Sequence, residues 1–236
     1  MQLFYNPDLT VTSEFFTFDR EESKHIVKVL RKQEGDNLFV TNGLGYIFKV
    51  EIVIGMDTKC QVKILSAELQ KPLDYQLHLA VAPTKMNDRF EWFLEKATEI
   101  GVTSITPIFC EHSERKHIKN DRFEKIIQSA AKQSLQSYCP ILNEAVSFKD
   151  FIKNNSKKGT LLIAHCEETA KKSLKEMIVK GTEVTLLIGP EGDFSESEIK
   201  LAIEHNYIPV TLGTTRLRTE TAAIVGCHSV AFVNQD

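Results

Sequence analysis

Apolar positions along the chain change rhythm near residue 72. Before it, NLFVTNG (37–43), GYIFKVEIVI (45–54) and CQVKILSAEL (60–69) are rich in Val, Ile, Phe and Tyr and read as strands. Asn42, Gly43 and Gly45 separate the first two and predict a hairpin. One short helix interrupts them; it starts at Asp19, with Glu22 three positions on as a capping box, and runs to about Lys32. Several short strands in so small a unit predict a little barrel. Lys71-Pro72 is the predicted boundary, because proline continues neither element.

Beyond Pro72, strands and helices alternate. YQLHLAVA and SITPIF are strands, and TLLIAH and EVTLLI are continuous apolar runs suited to burial on both faces. Between them lie amphipathic helices. NDRFEWFLEKATEIG turns Phe90, Phe93, Leu94, Ala97 and Ile100 to one side and stops at Gly101. DRFEKIIQSAAKQSL turns Phe123, Ile126, Ile127 and Ala130 inward. SESEIKLAIEHN opens with a capping box from Ser195 to Glu198. IPVTLG is a further strand, and TAAIVGCHSVAFV is a last apolar helix. The alternation predicts an α/β unit with a mainly parallel sheet covered by helices.

Composition narrows the class. With 236 residues, 42% hydrophobic and 26% charged, the chain can bury a real core. No run is long enough to span a bilayer, and the first residues lack a basic segment followed by an apolar one, so a cytoplasmic protein without membrane partners is expected. The five cysteines are scattered, with no C-x-x-C pair and no His/Cys cluster, so no metal is expected. A net charge of −3 argues against generic nucleic-acid binding but leaves room for local patches. KHIVKVLRK (24–32) has four basic residues and no acid; Lys24, Lys28, Arg31 and Lys32 fall on one face by helical spacing, a stripe that can neutralise phosphates. A merely solvated face is the competing reading.

Two loops carry candidate chemistry. In LLIGPEGDFSESE (186–198), a buried strand ends at Ile188 and a Gly-Pro-Glu-Gly turn leads into a capped helix. Ligands of open α/β sheets sit outside the carboxyl ends of strands, and Gly189 and Gly192 allow close approach and unusual dihedrals. The segment matches neither phosphate-loop nor dinucleotide fingerprints. Glu191 and Asp193 would repel phosphate, so a ligand with a cationic centre fits better. In TLGTTRLRTETAAI (211–224), Thr219 or a neighbouring threonine is expected to cap the last helix. Arg216 and Arg218 sit at its unfavourable, positive end, which suggests an anionic or electron-rich partner.

GPEG, then LG, then LRTETA, in that order and spacing, resembles the SPOUT (knotted) methyltransferases, and within them the enzymes that methylate N3 of a uridine in 16S ribosomal RNA. HIVKVLRKQEGD (25–36), KMNDRFEWFLEKATEIGV (85–102), SERK (113–116) and AAKQS (130–134) extend the likeness over essentially the whole chain. The resemblance implies a PUA-like, RNA-binding barrel over residues 1–71. It implies a methyltransferase domain with a deep trefoil knot over 72–236. It further implies S-adenosylmethionine as cofactor, a homodimer whose partner helps close the cofactor pocket, and 16S rRNA as substrate, within the assembled small subunit. The implied cofactor residues are Ile188, Gly189, Pro190, Glu191 and Gly192, Leu212 and Gly213, and Leu217, Arg218, Thr219, Thr221 and Ala222. Arg218 is the candidate for stabilising charge on the uracil oxygens, and Glu220 for a base or orienter, with a salt bridge or cap as its plainer role. Candidate RNA contacts are Lys24, His25, Lys28, Arg31, Lys32, Lys85, Arg89 and Arg115. Two places depart from the family pattern: Leu135-Gln136 stands where many relatives have Gly-Arg, and Leu3-Phe4-Tyr5 where many have an Arg-Phe-Phe-like start. A methyltransferase for another RNA position or for tRNA, and an RNA-binding factor without catalysis, remain the alternatives.

Overall fold

The computed structural model describes residues 2–154, 158–168 and 170–235. The chain divides into two compact units. The first runs to Pro72 and takes in Ala131–Cys139; the second comprises Leu73–Ala130 and everything from Pro140 onward.

The first unit is a five-stranded sheet in the open order β1-β3-β4-β5-β2, built from β1 (Leu3–Tyr5), β2 (Phe15–Thr17), β3 (Asn37–Thr41), β4 (Tyr46–Met56) and β5 (Lys59–Leu69). β3 and β4 form the expected hairpin; Asn42 Oδ1 accepts from the backbone of Leu44 and Tyr46, and Gly43 and Gly45 take positive φ. Phe4, Ile26, Val40, Phe48, Val50, Ile52 and Val62 fill its core. The returning segment 131–139 packs into this unit: Leu44 bridges Tyr138, and the Thr41 hydroxyl donates to the Ser137 carbonyl at 3.0 Å. No local pattern announces that return.

The helix after Asp19 is shorter than expected. α1 (Arg20–Lys24) is capped by Asp19, whose carboxylate accepts from Glu22 N–H at 2.8 Å, but it passes into a π-helical turn over His25–Val29. Arg31 then takes φ 56°, which ends the helix short of Lys32. Glu22 does not complete the box; its carboxylate pairs with Lys132 at 2.7 Å. The three-and-four spacing therefore lapses after Lys24. Lys24, Lys28 and Arg31 are nonetheless all exposed, while His25 and Lys32 are half-buried.

The second unit contains an eight-stranded parallel sheet. Its strands are β6 (Gln76–Val81), β7 (Ser104–Phe109), β8 (Ile141–Leu142), β9 (Val146–Ser147), β10 (Thr160–Ala164), β11 (Lys172–Ser173), β12 (Glu183–Ile188) and β13 (Ile208–Thr211). The order is β11-β13-β10-β12-β6-β7-β8, with β9 also on β7. Successive side chains point to opposite faces. Leu77, Leu79, Val81, Leu162, Leu186 and Ile188 meet α2 (Asn87–Ile100), α3 (Asn120–Gln133) and α7 (Thr219–Asn234). Ala80, Ile108, Leu161, Ile163 and Leu187 meet α4 (Phe148–Asn154) and α6 (Glu196–Glu204). A short α5 (Leu174–Met177) adds Leu174 to the first face. Two cores on one sheet explain why these strands read as unbroken apolar runs. Gly226 lets α7 lie close on β12, for a Cβ there would fall 2.4 Å from Leu186 Cδ2. Among the described residues, no helix is long and apolar enough to cross a membrane.

Candidate functional site

The carboxyl ends of three neighbouring strands, β13, β10 and β12, open onto a shared depression. Ala164, Cys166, Arg216, Leu217 and Ala222 border both of its halves. One half, a cavity of about 440 Å³, is lined by His165, Lys171 and the run Val210–Leu217. The other, about 320 Å³, is lined by Ile188–Glu191, Asp193, Arg218 and Thr219. These volumes match a small-molecule site. Parallel strands direct their following loops to one edge, so loops distant in sequence converge there.

The Gly-Pro-Glu-Gly turn is held from several sides. Gly189 and Gly192 are needed for close approach and not for dihedrals, since neither has positive φ. A Cβ on Gly189 would lie 3.1 Å from the Phe194 ring, and one on Gly192 would lie 3.0 Å from His112 Cβ. The left-handed residue is Asp193, at φ 63°. Its carboxylate accepts from Cys166 N–H at 2.6 Å and thereby ties the β12 turn to the β10 loop. His112 Nδ1 lies 3.1 Å from the carbonyl oxygens of both Gly192 and Asp193. The capping box forms as expected: Ser195 N–H donates to Glu198 at 2.9 Å and Glu198 N–H to Ser195 Oγ at 3.3 Å.

The start of α7 differs from expectation. Arg218 is the N-cap and offers no side-chain bond, so no threonine caps this helix. Thr219 lies inside the first turn, and its buried hydroxyl donates to the Gly189 carbonyl at 3.0 Å. The two glycine-bearing loops are thus joined directly. Arg218 and Arg216 are exposed on the rim.

Glu220 is buried in that first turn but lines neither cavity. Its Oε1 is 3.9 Å from Arg89 Nε, and its Oε2 has no hydrogen-bond partner among the described residues. Arg89, a candidate RNA contact, is therefore engaged by the candidate base. Lys85 and Arg115 also converge on the site. Lys85 N–H donates to Glu191 at 2.9 Å, its ammonium pairs with Glu114 at 2.7 Å, and Arg115 donates to the Lys85 carbonyl at 3.2 Å. The Glu114 bond and charge raise the Lys85 pKa. Lys28, in the first unit, pairs with Asp57 at 3.5 Å.

Of the implied cofactor residues, Ile188–Glu191, Leu212, Gly213, Leu217, Arg218, Thr219 and Ala222 border the depression, whereas Gly192 and Thr221 do not. The sequence reading missed Ala164, His165, Cys166 and Lys171, all at or after the end of β10. The end-of-strand rule applied to TLLIAH could have found them. His165 is only 7% exposed, and neither ring nitrogen has a partner among the described residues. Burial, with Lys171 nearby, lowers its pKa against the opposing pull of Asp193 and Glu167. Burial and Asp193 raise that of the Cys166 thiol.

The comparisons with known proteins agree with this architecture. Residues 70–231 match the model of an RNA methyltransferase domain, and residues 18–65 that of an RNA methyltransferase PUA domain. The ribosomal RNA small subunit methyltransferase E of Buchnera aphidicola (Acyrthosiphon pisum strain) is 31% identical over 233 residues, 95% of this chain and 90% of its own. This chain belongs to the ribosomal RNA small subunit methyltransferase E family. Two solved structures have a similar fold. A protein of Porphyromonas gingivalis described as a probable rRNA-methyltransferase has a TM-score of 0.93 and 39% identity, covering 99% of this chain and 98% of its own. A methyltransferase of Legionella pneumophila, solved with bound SAM, has a TM-score of 0.87 and 29% identity with the same coverage. For a methyltransferase E, the N-terminal sheet is the PUA domain, and the parallel sheet carries the methyltransferase domain.

Proposed function

We propose that this protein transfers a methyl group from S-adenosylmethionine to N3 of a specific uridine in 16S ribosomal RNA, as a homodimer acting on the assembled small subunit in the cytoplasm. The observation that carries the reading is the joining of the turns after β12 and β13 into one depression by the Thr219–Gly189 bond. The residues present suit the cofactor. Backbone-rich turns offer amides and carbonyls without a phosphate fingerprint, Glu191 and Asp193 favour a cationic centre, and the buried His165 ring nitrogens await partners. When bound, S-adenosylmethionine supplies an electrophilic methyl on a sulfonium.

The chain's own work is to position and to stabilise charge. Ile188–Glu191, Leu212, Gly213, Leu217 and Ala222 form the cofactor cradle, and the Thr219 hydroxyl holds its two halves together. Arg218, exposed at the rim, stabilises negative charge spreading onto the uracil oxygens as the N3 proton passes to solvent water and N3 becomes the nucleophile. Glu220 is buried on Arg89, which favours an orienting role over direct proton removal. Lys24, His25, Lys28, Arg31 and Lys32 in the N-terminal PUA domain, with Lys85, Arg89 and Arg115, contact RNA phosphates. Residues 1–71 serve as the RNA-binding domain and 72–236 as the methyltransferase domain. The sheet order β13-β10-β12-β6, in which β12 inserts between two earlier strands, supports a knotted SPOUT domain. Phe232, 65% exposed on α7, supports a paired subunit.

Reverse transcription across 16S rRNA from a strain lacking this protein tests the reading. N3 methylation blocks Watson-Crick pairing, so one stop disappears in the deletion and returns when purified protein and S-adenosylmethionine are added to its small subunits. An unchanged stop pattern refutes it.

A further inference from the structure

The parallel sheet carries a buried histidine that no catalytic step above requires. His165 follows β10, lines the larger cavity, and has two ring nitrogens sealed from solvent and, among the described residues, without hydrogen-bond partners. A buried polar group without a partner is unfavourable, and native structures rarely keep one without a use. The ring torsion of a histidine is soft, so the ring of a residue that lines the cavity can reorient toward a ligand held there. The Lys171 ammonium is turned to the backbone here, donating to the carbonyls of His165 and Glu167 at 3.0 and 2.7 Å.

The surroundings select what that nitrogen meets. Among the described residues no carboxylate side chain lines the cavity of His165; Glu191 and Asp193 border the other half. The amino-acid end of S-adenosylmethionine carries an ammonium and a sulfonium against one carboxylate, so its net positive charge favours the acidic half. The larger half, walled by Val210, Leu212, Leu217 and Ala222, suits a flat, neutral, largely apolar ring. Lys171 and Arg216 border it, which further disfavours a cation there. Burial and Lys171 keep the imidazole neutral, opposed by Asp193 and Glu167. A neutral imidazole presents one donor and one acceptor. The Hoogsteen edge of adenine presents the complementary pair, N7 as acceptor and the 6-amino group as donor, so either tautomer finds a match.

We propose that His165 is the residue by which this protein selects an adenine nucleoside, through a hydrogen bond from one ring nitrogen to the N6/N7 edge of the bound cofactor. The inference rests on the reading of the depression as the cofactor site. It makes His165 a specificity residue and not a catalytic one.

Calorimetric titration of the full chain with S-adenosylhomocysteine, S-inosylhomocysteine and the 7-deaza analogue of S-adenosylhomocysteine tests it. The wild type should prefer the adenine compound over at least one analogue by about tenfold, the size of one good hydrogen bond. His165→Phe should reduce that preference to within roughly twofold. His165→Asn, which keeps a donor and an acceptor, should retain part of it. Equal weakening of all three ligands by His165→Phe, or no change in any, overturns the role of His165. Failure of the wild type to bind S-adenosylhomocysteine overturns the cofactor-site reading itself, and this inference with it.

Discussion

The Thr219 hydroxyl donates to the Gly189 carbonyl at 3.0 Å, across 30 residues of sequence. This bond joins the end of β12 to the start of α7 and spends the hydroxyl on a tertiary contact where a helix cap was expected. Replacing Thr219 by valine keeps the shape and removes the bond, leaving a buried carbonyl unpaired. Thr219→Val should lower stability by about 1–2 kcal/mol in chemical denaturation. It should also weaken S-adenosylhomocysteine binding several-fold by calorimetry. A variant unchanged in both would deny the bond any part in shaping the site.

Arg218 stands exposed at the mouth of the depression with no side-chain cap to make. Among the described residues no carboxylate pairs with it, so its charge can meet a developing anion. Arg218→Ala should cut single-turnover methylation by roughly 100-fold or more, the usual loss for a group that stabilises transition-state charge. Its affinity for S-adenosylhomocysteine should stay within a few-fold of wild type. Full turnover in that variant would remove the assignment.

Glu220 and Arg89 form a partly buried pair at 3.9 Å. If Glu220 orients Arg89, Glu220→Gln and Arg89→Gln should be strongly non-additive, since each breaks the same contact. The pH–rate profile of Glu220→Gln should then keep the wild-type shape at lower amplitude. Loss of the acidic limb in that profile would instead identify Glu220 as the base.

His78 sits inside the parallel sheet, with Nε2 2.7 Å from Thr106 Oγ1 and its ring edge-on to Phe151. Burial pushes its pKa down to about 4 from an ordinary 6.5. The unfolded chain therefore binds a proton between those values that the folded chain does not. Stability should rise with pH across that window, be fully present above about 6.5, and be lost as pH falls through 4. Denaturation midpoints measured from pH 4 to 7 should show this slope, and His78→Gln should flatten it.

In the first unit, Lys24, Lys28 and Arg31 are exposed although the helix that was to align them gives way to a π-turn. Reversing all three charges should weaken binding to ribosomal RNA. It should also flatten the dependence of log K on log salt by about 2, the share of three phosphate contacts on a single strand. Unchanged, salt-insensitive binding would show the stripe to be solvated surface only.

Much of the fold was readable from sequence because its signals are local. The stop at Gly101, the Ser195–Glu198 box, the turn at Asn42–Gly45 and the unbroken apolar strands depend on residues a few positions apart. Near neighbours meet whatever the rest of the chain does, so their preferences survive folding. Even the Gly-Pro-Glu-Gly turn announced itself as a loop at a strand end, where the structure opens a cavity.

What the tertiary structure decided was every partnership between distant positions. Periodicity could not reveal that 131–139 returns to the first unit, that Asp193 holds the Cys166 backbone, or that Glu220 turns to Arg89. Nor could it reveal a histidine left without partners in the cavity wall. These follow from which strands lie side by side in the sheet, an order set by burying two apolar faces at once. Such burial is a property of the whole chain, which no short window of sequence contains.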